Sequence, residues 1–161
     1  MDIKLRNMTS AYLVREGEVL CLLRIGSRVI SEKYIGSAGG HFENDELNDP
    51  KACVLRELKE ELGLKETDVD GLTLRYVTHR YMGGEIRQNY YFFGRLKKDR
   101  KLHSTEGTLR WVPFEEIPQL DMPVSAKHMI LHYLEEGRFT QELYCGVTEE
   151  NGTRFVTMKE F

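Results

Sequence analysis

The segment from Asp49 to Gly63 constrains this chain more than any other, because it reads as one complete helix with two unlike faces. Asp49 offers an N-cap oxygen and Pro50 suits the first helical position. Gly63 suits the residue just past a helix end. At about 100° per residue, Leu55, Leu58 and Leu62 fall in one narrow arc. Glu57, Glu60 and Glu61 fall in a second arc, well away from the leucines. The leucine arc has to pack against an apolar layer. The glutamate arc is either a solvated face, partly offset by Arg56 and Lys59, or a working one.

Electrostatics favour a working face. Glu57 and Glu61 are like charges at i and i+4, which costs a few tenths of a kcal/mol without a cation, and Glu60 adds a third. Glu60 and Glu61 also lie near the helix C-terminus, where the macrodipole disfavours anions. Such an arrangement opposes stability and suits a hard divalent cation, Mg²⁺ or Mn²⁺. Upstream, Gly39-Gly40 lies a short loop ahead of the helix, with Glu43 and Glu46 between, and paired glycines let a ligand approach the main chain.

The remaining elements follow from alternation and turn chemistry. Strands are expected at 9–14 and 18–25, joined by the polar "REGE", then a loop over 26–38 that ends in a short strand. Two strands, 72–81 and 85–96, flank "MGG", and a short strand at "TLRWVPF" leads into "EEIP". A second helix over about 124–136 carries Ile130, Tyr133 and Leu134 on one face. "ELYCGV" and "TRFVTM" flank "TEENG" as a C-terminal hairpin, about 140–158. Strands outnumber helices and separate them, so an α+β fold with a central mixed β-sheet between helical layers is expected.

The 161 residues show no repeat or linker and predict one domain, 1–161. A net charge of −3 argues against a nucleic-acid polymer as partner. No apolar run is long enough for a membrane span, and the first ten residues lack the apolar core of a signal peptide. Cys21, Cys53 and Cys145 have no metal-type spacing and read as buried free thiols of a cytoplasmic protein. His128 and His132, at i and i+4, lack a third ligand nearby and read as a partly exposed pair. "NYYFFGRL" reads as sheet core and "KKDRK" as a solvated turn.

The block "GGHFENDELNDPKACVLRELKEELGL" resembles the Nudix box, the loop–helix signature of the Nudix hydrolases (40–64). Gly40 and Glu46 match with the family spacing, as do Arg56, Glu57, Leu58, Glu60, Glu61, Gly63 and Leu64. Nine residues separate Glu46 from Arg56 where the pattern has seven. The extra two fall at "NDP", where they lengthen a loop without rotating the helix. The resemblance covers all but about the last 20 residues and implies a Nudix-type α/β/α sandwich.

It also implies a metal-dependent attack of water on a nucleoside diphosphate linked to a moiety X. Carried over position by position, Gly39, Glu57, Glu60 and Glu61 would be metal ligands for Mg²⁺ or Mn²⁺. Glu57, Glu60 and Glu106 would serve catalysis, with Gly40, Glu46 and Arg56 as structural support. Arg56 would hold Glu43 or Glu46 by a bidentate contact. Arg24 would contact phosphate, or is a surface arginine at a strand end. Glu106 would be a further acid, or is an exposed loop glutamate. Similarity to the short mutator-type nucleotide diphosphatases implies an oxidised purine dNTP as substrate. Asp121 would then read the purine edge, unless it caps the second helix. Tyr81, Tyr90 or Phe92 would stack on the base. Where mutator-type enzymes carry Phe-Pro-Gly-Gly, this chain reads Ser37-Ala38-Gly39-Gly40, which keeps ADP-ribose and dinucleoside polyphosphates open. A homodimer through the C-terminal hairpin is compatible with the family. A catalytically silent nucleotide sensor is the rival class, and such sensors usually lose box glutamates and carry an added effector domain. Here every glutamate of the second half of the box is present.

Overall fold

The first strand, β1, spans Lys4–Arg15 and begins before its apolar stretch, because its polar start pairs in parallel with a later strand along Lys4–Leu13. The computed structural model describes residues 2–25 and 33–159, so 26–32 of the loop expected over 26–38 lie outside the described residues. β2 spans Glu18–Arg24, followed by the short β3 (Tyr34–Ile35) and β4 (Ala38–His41). Gly39 and Gly40 lie within β4 and face Ser10 and Thr9 of β1. The helix α1 (Pro50–Leu62) precedes β5 (Val69–Met82) and β6 (Glu85–Leu96). Then come β7 (Gly107–Pro113), α2 (Val124–Glu135), β8 (Tyr144–Glu149) and β9 (Gly152–Thr157).

The strands form one mixed sheet in the order β3-β2-β1-β6-β5-β8-β9, with β4 also on β1 and β7 on β2. The β1–β6 and β5–β8 pairs are parallel and the others antiparallel. Gly83 and Gly84, both at positive φ, make the two-residue turn between β5 and β6. That turn pairs Met82 with Glu85 and so sets the register of both strands.

Alternation then sorts side chains into two layers. Tyr12, Tyr76, Tyr91 and Phe93 pack with Met129, Ile130 and Tyr133 of α2. Ala11, Leu13 and Phe92 point the other way, onto Val54, Leu58 and Leu62 of α1. The result is the α/β/α sandwich. In α1 the Asp49 side chain accepts from the Ala52 N–H, and Gly63 closes the helix in the left-handed conformation. The apolar line runs through Val54 rather than Leu55, which is only half-buried. This rotation brings Glu57, expected on the open face, to 8% exposure at the edge of the sheet.

One buried cation secures the far end of the molecule. The β5–β6 register shifts between Leu74 and Tyr76, and such a bulge re-aims the extra side chain. Arg75, 6% exposed, donates to the carbonyls of Gly137, Thr140 and Glu142 and ties the connection after α2 to the sheet. Arg75→Met is expected to lower stability by about 2–4 kcal/mol, since it strips charged donors from three carbonyls at once. Urea unfolding of the two proteins checks it; a shift below about 0.5 kcal/mol would show that the clamp is unimportant.

Candidate active site

The acidic helix and the loop before it are organised by Arg56. Its Nε and Nη2 donate to the two oxygens of Glu46 at 2.7 and 3.0 Å, and Nη2 also reaches the His41 carbonyl at 3.0 Å. Glu43 stands farther off, at 3.9 Å. On its other side, Arg56 Nη1 donates to Glu57 at 2.8 Å and Glu60 at 3.0 Å. Glu46 also accepts from the Glu43 N–H and folds the inserted loop into a turn closed by Asp49 N–H to Glu46 C=O. The longer spacing between Glu46 and Arg56 is thus absorbed within 43–49, ahead of the helix.

Arg56 holds the Glu46 carboxyl down to about 2, from an ordinary 4.5. A carboxyl depressed on folding stabilises the protein above its unfolded pKa and loses that contribution as pH falls through its folded one. Stability is therefore expected to drop between pH 4.5 and about 2, and Glu46→Gln should flatten this part of the curve. Denaturant unfolding against pH for both proteins reads it out; parallel curves would exclude Glu46 as the source.

The glutamates sit against the Gly39-Gly40 strand. A Cβ on Gly40 would overlap the Glu57 carboxylate, and one on Gly39 would overlap the Thr9 carbonyl. Glycine is required here by close approach. The Gly39 N–H donates to Glu61 at 3.0 Å. Burial raises the Glu61 carboxyl to about 7, with the negative charges of Glu106 and Glu57 adding to it. Burial likewise raises Glu57, against the opposing pull of Arg56. Glu60 is the open member, its side chain 58% exposed. Glu106, before β7, pairs with Arg24 at the end of β2 at 3.4 Å.

Among the described residues no three carboxylate, imidazole or thiol groups converge closely enough to form a ready-made cage. Arg56 draws Glu57 and Glu60 to one nitrogen, while Glu61 turns to Gly39. The donor set nevertheless suits a hard divalent cation. Glu57, Glu60 and Glu61 offer hard carboxylate oxygens, and burial with neighbouring negative charge raises Glu57 and Glu61, a cost that a cation would relieve.

A cavity of about 160 Å³ opens beside this edge, between the sheet face under α2 and the start of that helix. Gly39 and Arg24 line it, together with Met8, Tyr12 and Tyr91 on an apolar wall and Arg80, Arg87 and Asn89 as polar groups. Gly39, Glu57, Glu61, Arg24 and Glu106 are brought to one place. Asp121 and Tyr81 are not among the lining residues. Asp121 pairs with Lys33 and is 70% exposed at its side chain. It does not cap α2, whose N-cap position is Pro123. Tyr81 is exposed near the β5–β6 turn. Phe92 is buried in the α1 layer and Tyr90 packs on Phe42, so neither lines the cavity.

Besides Tyr12 and Arg24, the cavity is lined by the aromatic Tyr91 and the cations Arg80 and Arg87. All three were legible in principle. A two-residue Gly83-Gly84 turn pairs residues whose numbers sum to that of Met82 and Glu85, so Arg80 faces Arg87 and strand alternation places Tyr91 on the same side.

Other reactive groups have local partners. His128 Nδ1 bonds Thr153 Oγ1 and His132 Nδ1 bonds the Tyr76 hydroxyl, each at 2.8 Å. Burial pushes the Cys53 thiol up to about 11 and Cys21 to about 12, so neither is a thiolate at neutral pH. Cys145 is half-buried rather than buried.

The family model described as NUDIX domain matches residues 4–133, which leaves the end of α2 and the C-terminal hairpin outside it. A mutator MutT protein from Bacillus halodurans superposes with a TM-score of 0.65 at 21% identity, over 93% of this chain and 97% of that one. A MutT protein from Methanosarcina mazei Go1 gives 0.67 at 23% identity, over 84% and 97%. A C. elegans Ap4A hydrolase gives 0.62 at 14% identity, over 83% and 96%. At these identities the likeness concerns the fold. Comparison with curated proteins returns no sequence match. The match over most of the chain and the built box together make this protein a member of the Nudix family, the hydrolases that act on diphosphate anhydrides.

Proposed function

We propose that this protein hydrolyses a nucleoside diphosphate linked to a moiety X, using Mg²⁺ or Mn²⁺ held by Glu57, Glu60, Glu61 and the Gly39 carbonyl. The observation that carries this reading is the crowding of Glu57, Glu61 and Glu106 around Gly39, which itself lines an arginine-lined cavity. The metal, when bound, neutralises phosphate oxygens and makes water more acidic.

The chain's own residues do the rest. Water attacks one phosphorus, the bridging P–O bond breaks, and the products are a nucleoside monophosphate and phosphorylated X. For a triphosphate, the second product is pyrophosphate. Glu57, Glu60 or Glu106 takes the water's proton; Arg24 meets a phosphate oxygen and is held by Glu106. Arg56 keeps the helix carboxylates and Glu46 in register. Gly40 leaves the space that Glu57 fills.

Two readings of X stand. Cleavage of an oxidised purine dNTP rests on the mutator-type resemblance, and Asp121, its expected base reader, pairs with Lys33 away from the cavity. A dinucleoside polyphosphate or ADP-ribose-like substrate is favoured by the cationic lining of the cavity. Initial rates on 8-oxo-dGTP, dGTP, ADP-ribose and diadenosine polyphosphates, with Mg²⁺, Mn²⁺ or chelator, test both. Metal-dependent release of a nucleoside monophosphate from any of them supports the hydrolase reading, and the preferred member chooses X. No metal-dependent turnover on any would favour the silent sensor.

A further inference from the structure

The sheet face under α2 carries a charge pattern that cutting a diphosphate does not by itself require. Arg80 of β5 faces Arg87 of β6, and Arg87 faces Arg6 of β1. Directly paired residues point to one side of a sheet, so three guanidinium groups stand in a row across neighbouring strands. Like charges directly opposite one another are destabilising. A single carboxylate, Glu85, serves two of them, at 3.6 Å from Arg6 and 3.4 Å from Arg87. Arg80 forms no ion pair among the described residues, and Arg87 meets Glu85 only at length, its Nε and Nη2 each 3.4 Å from one carboxylate oxygen. Both Arg80 and Arg87 line the cavity, next to Asn89. Opposite them α2 begins at Val124 with Pro123 in the capping position and no side chain capping it. The first-turn N–H groups add to the positive potential of the same space.

We propose that the end of the substrate entering this cavity carries its own phosphate monoester, received by Arg80 and Arg87. The inference rests on the diphosphatase reading above, which puts the scissile diphosphate at Gly39 and Arg24. Gly39 is level with Ser10 on β1, and the arginine row lies four residues along, roughly 13 Å at the rise of a strand. A nucleoside and the reach of an arginine side chain span that gap. Two planar guanidinium forks match the oxygens of a phosphate and relieve their mutual repulsion. An uncharged base would leave the row, among the described residues, with one carboxylate for three cations.

Calorimetric titration of the intact chain with AMP, adenosine 2′,5′-bisphosphate and adenosine 3′,5′-bisphosphate, at fixed salt and with chelator present, reads the extra phosphate without requiring turnover. At least one bisphosphate is expected to bind about tenfold more tightly than AMP, the order of one charge-assisted contact. Arg80→Gln and Arg87→Gln should collapse that preference to about twofold or less, and Arg87→Lys should keep part of it. Thermal unfolding verifies that each variant is folded. Equal affinity for all three ligands, or no measurable binding of either bisphosphate, overturns the inference. Equal loss of AMP and bisphosphate binding in the Gln variants also overturns it, because the arginines would then meet the nucleoside itself. Turnover of diphosphate substrates on the same preparations judges the hydrolase reading separately. Turnover with equal affinities removes only the phosphate monoester; unequal affinities without turnover remove the hydrolase and leave the anion site.

Discussion

Glu57→Gln is expected to lower kcat for diphosphate cleavage about a thousandfold, within the range for loss of a positioned acid–base or metal-binding group. The fold should survive. Glutamine has nearly the shape of glutamate and fits above Gly40, where the Glu57 carboxylate already fills the place of a Cβ. Burial raises the Glu57 carboxyl, so its ionised form opposes folding when no metal is present. The variant should therefore be as stable as the parent or slightly more so without metal, and Mg²⁺ should raise its Tm less. Glu60→Gln should also lose activity, with a smaller change in stability because Glu60 is largely exposed. Steady-state kinetics and thermal unfolding of both variants check this. Unchanged turnover in both would remove the helix carboxylates from the mechanism.

Arg56→Met is the second large effect, and here stability moves first. Arg56 is the bidentate partner of Glu46, whose side chain is 8% exposed, and it also holds Glu57, Glu60 and the His41 carbonyl. Removing one member of a buried pair leaves the other charge without compensation, which costs about 3–5 kcal/mol. Urea unfolding at neutral pH measures it. The double variant Arg56→Met, Glu46→Gln should be less destabilised than the sum of the two single changes, because it leaves no orphaned carboxylate. Additive effects would mean that the two side chains act independently and that the inserted loop is held by something else.

Much of this architecture was legible because local chemistry and long-range packing agree. Asp49, Pro50 and Gly63 bound α1 in the sequence and in space, since caps satisfy backbone groups whatever the helix docks against. "TEENG" likewise marks the turn between β8 and β9. Helical periodicity alone could not say which part of a broad apolar stripe meets the sheet. Leu55 gave way to Val54 once α1 packed beside β4, and Glu57 went inward with it. Glycine lowers strand propensity, yet Gly39 and Gly40 are strand here, because they pair with β1 and Gly40 leaves room for Glu57. The acidic face was legible from its repulsion. The cavity was not, because its residues come from β1, β5, β6 and the start of α2, which only the sheet order brings together. Tyr81 and Asp121 share segments with true lining residues, but one is exposed by the turn and the other precedes the helix that forms the wall.

On the proposed function, the acidic face of α1, with a divalent cation, directs water onto a phosphorus of a diphosphate. A turnover in ¹⁸O-water with Mg²⁺, on whichever substrate of the panel is cut, followed by mass spectrometry of both products, tests it most directly. The expected result is one ¹⁸O in a single product phosphate, suppressed by chelator and by Glu57→Gln. Cleavage that persists in chelator, or products without the label on phosphorus, would contradict it.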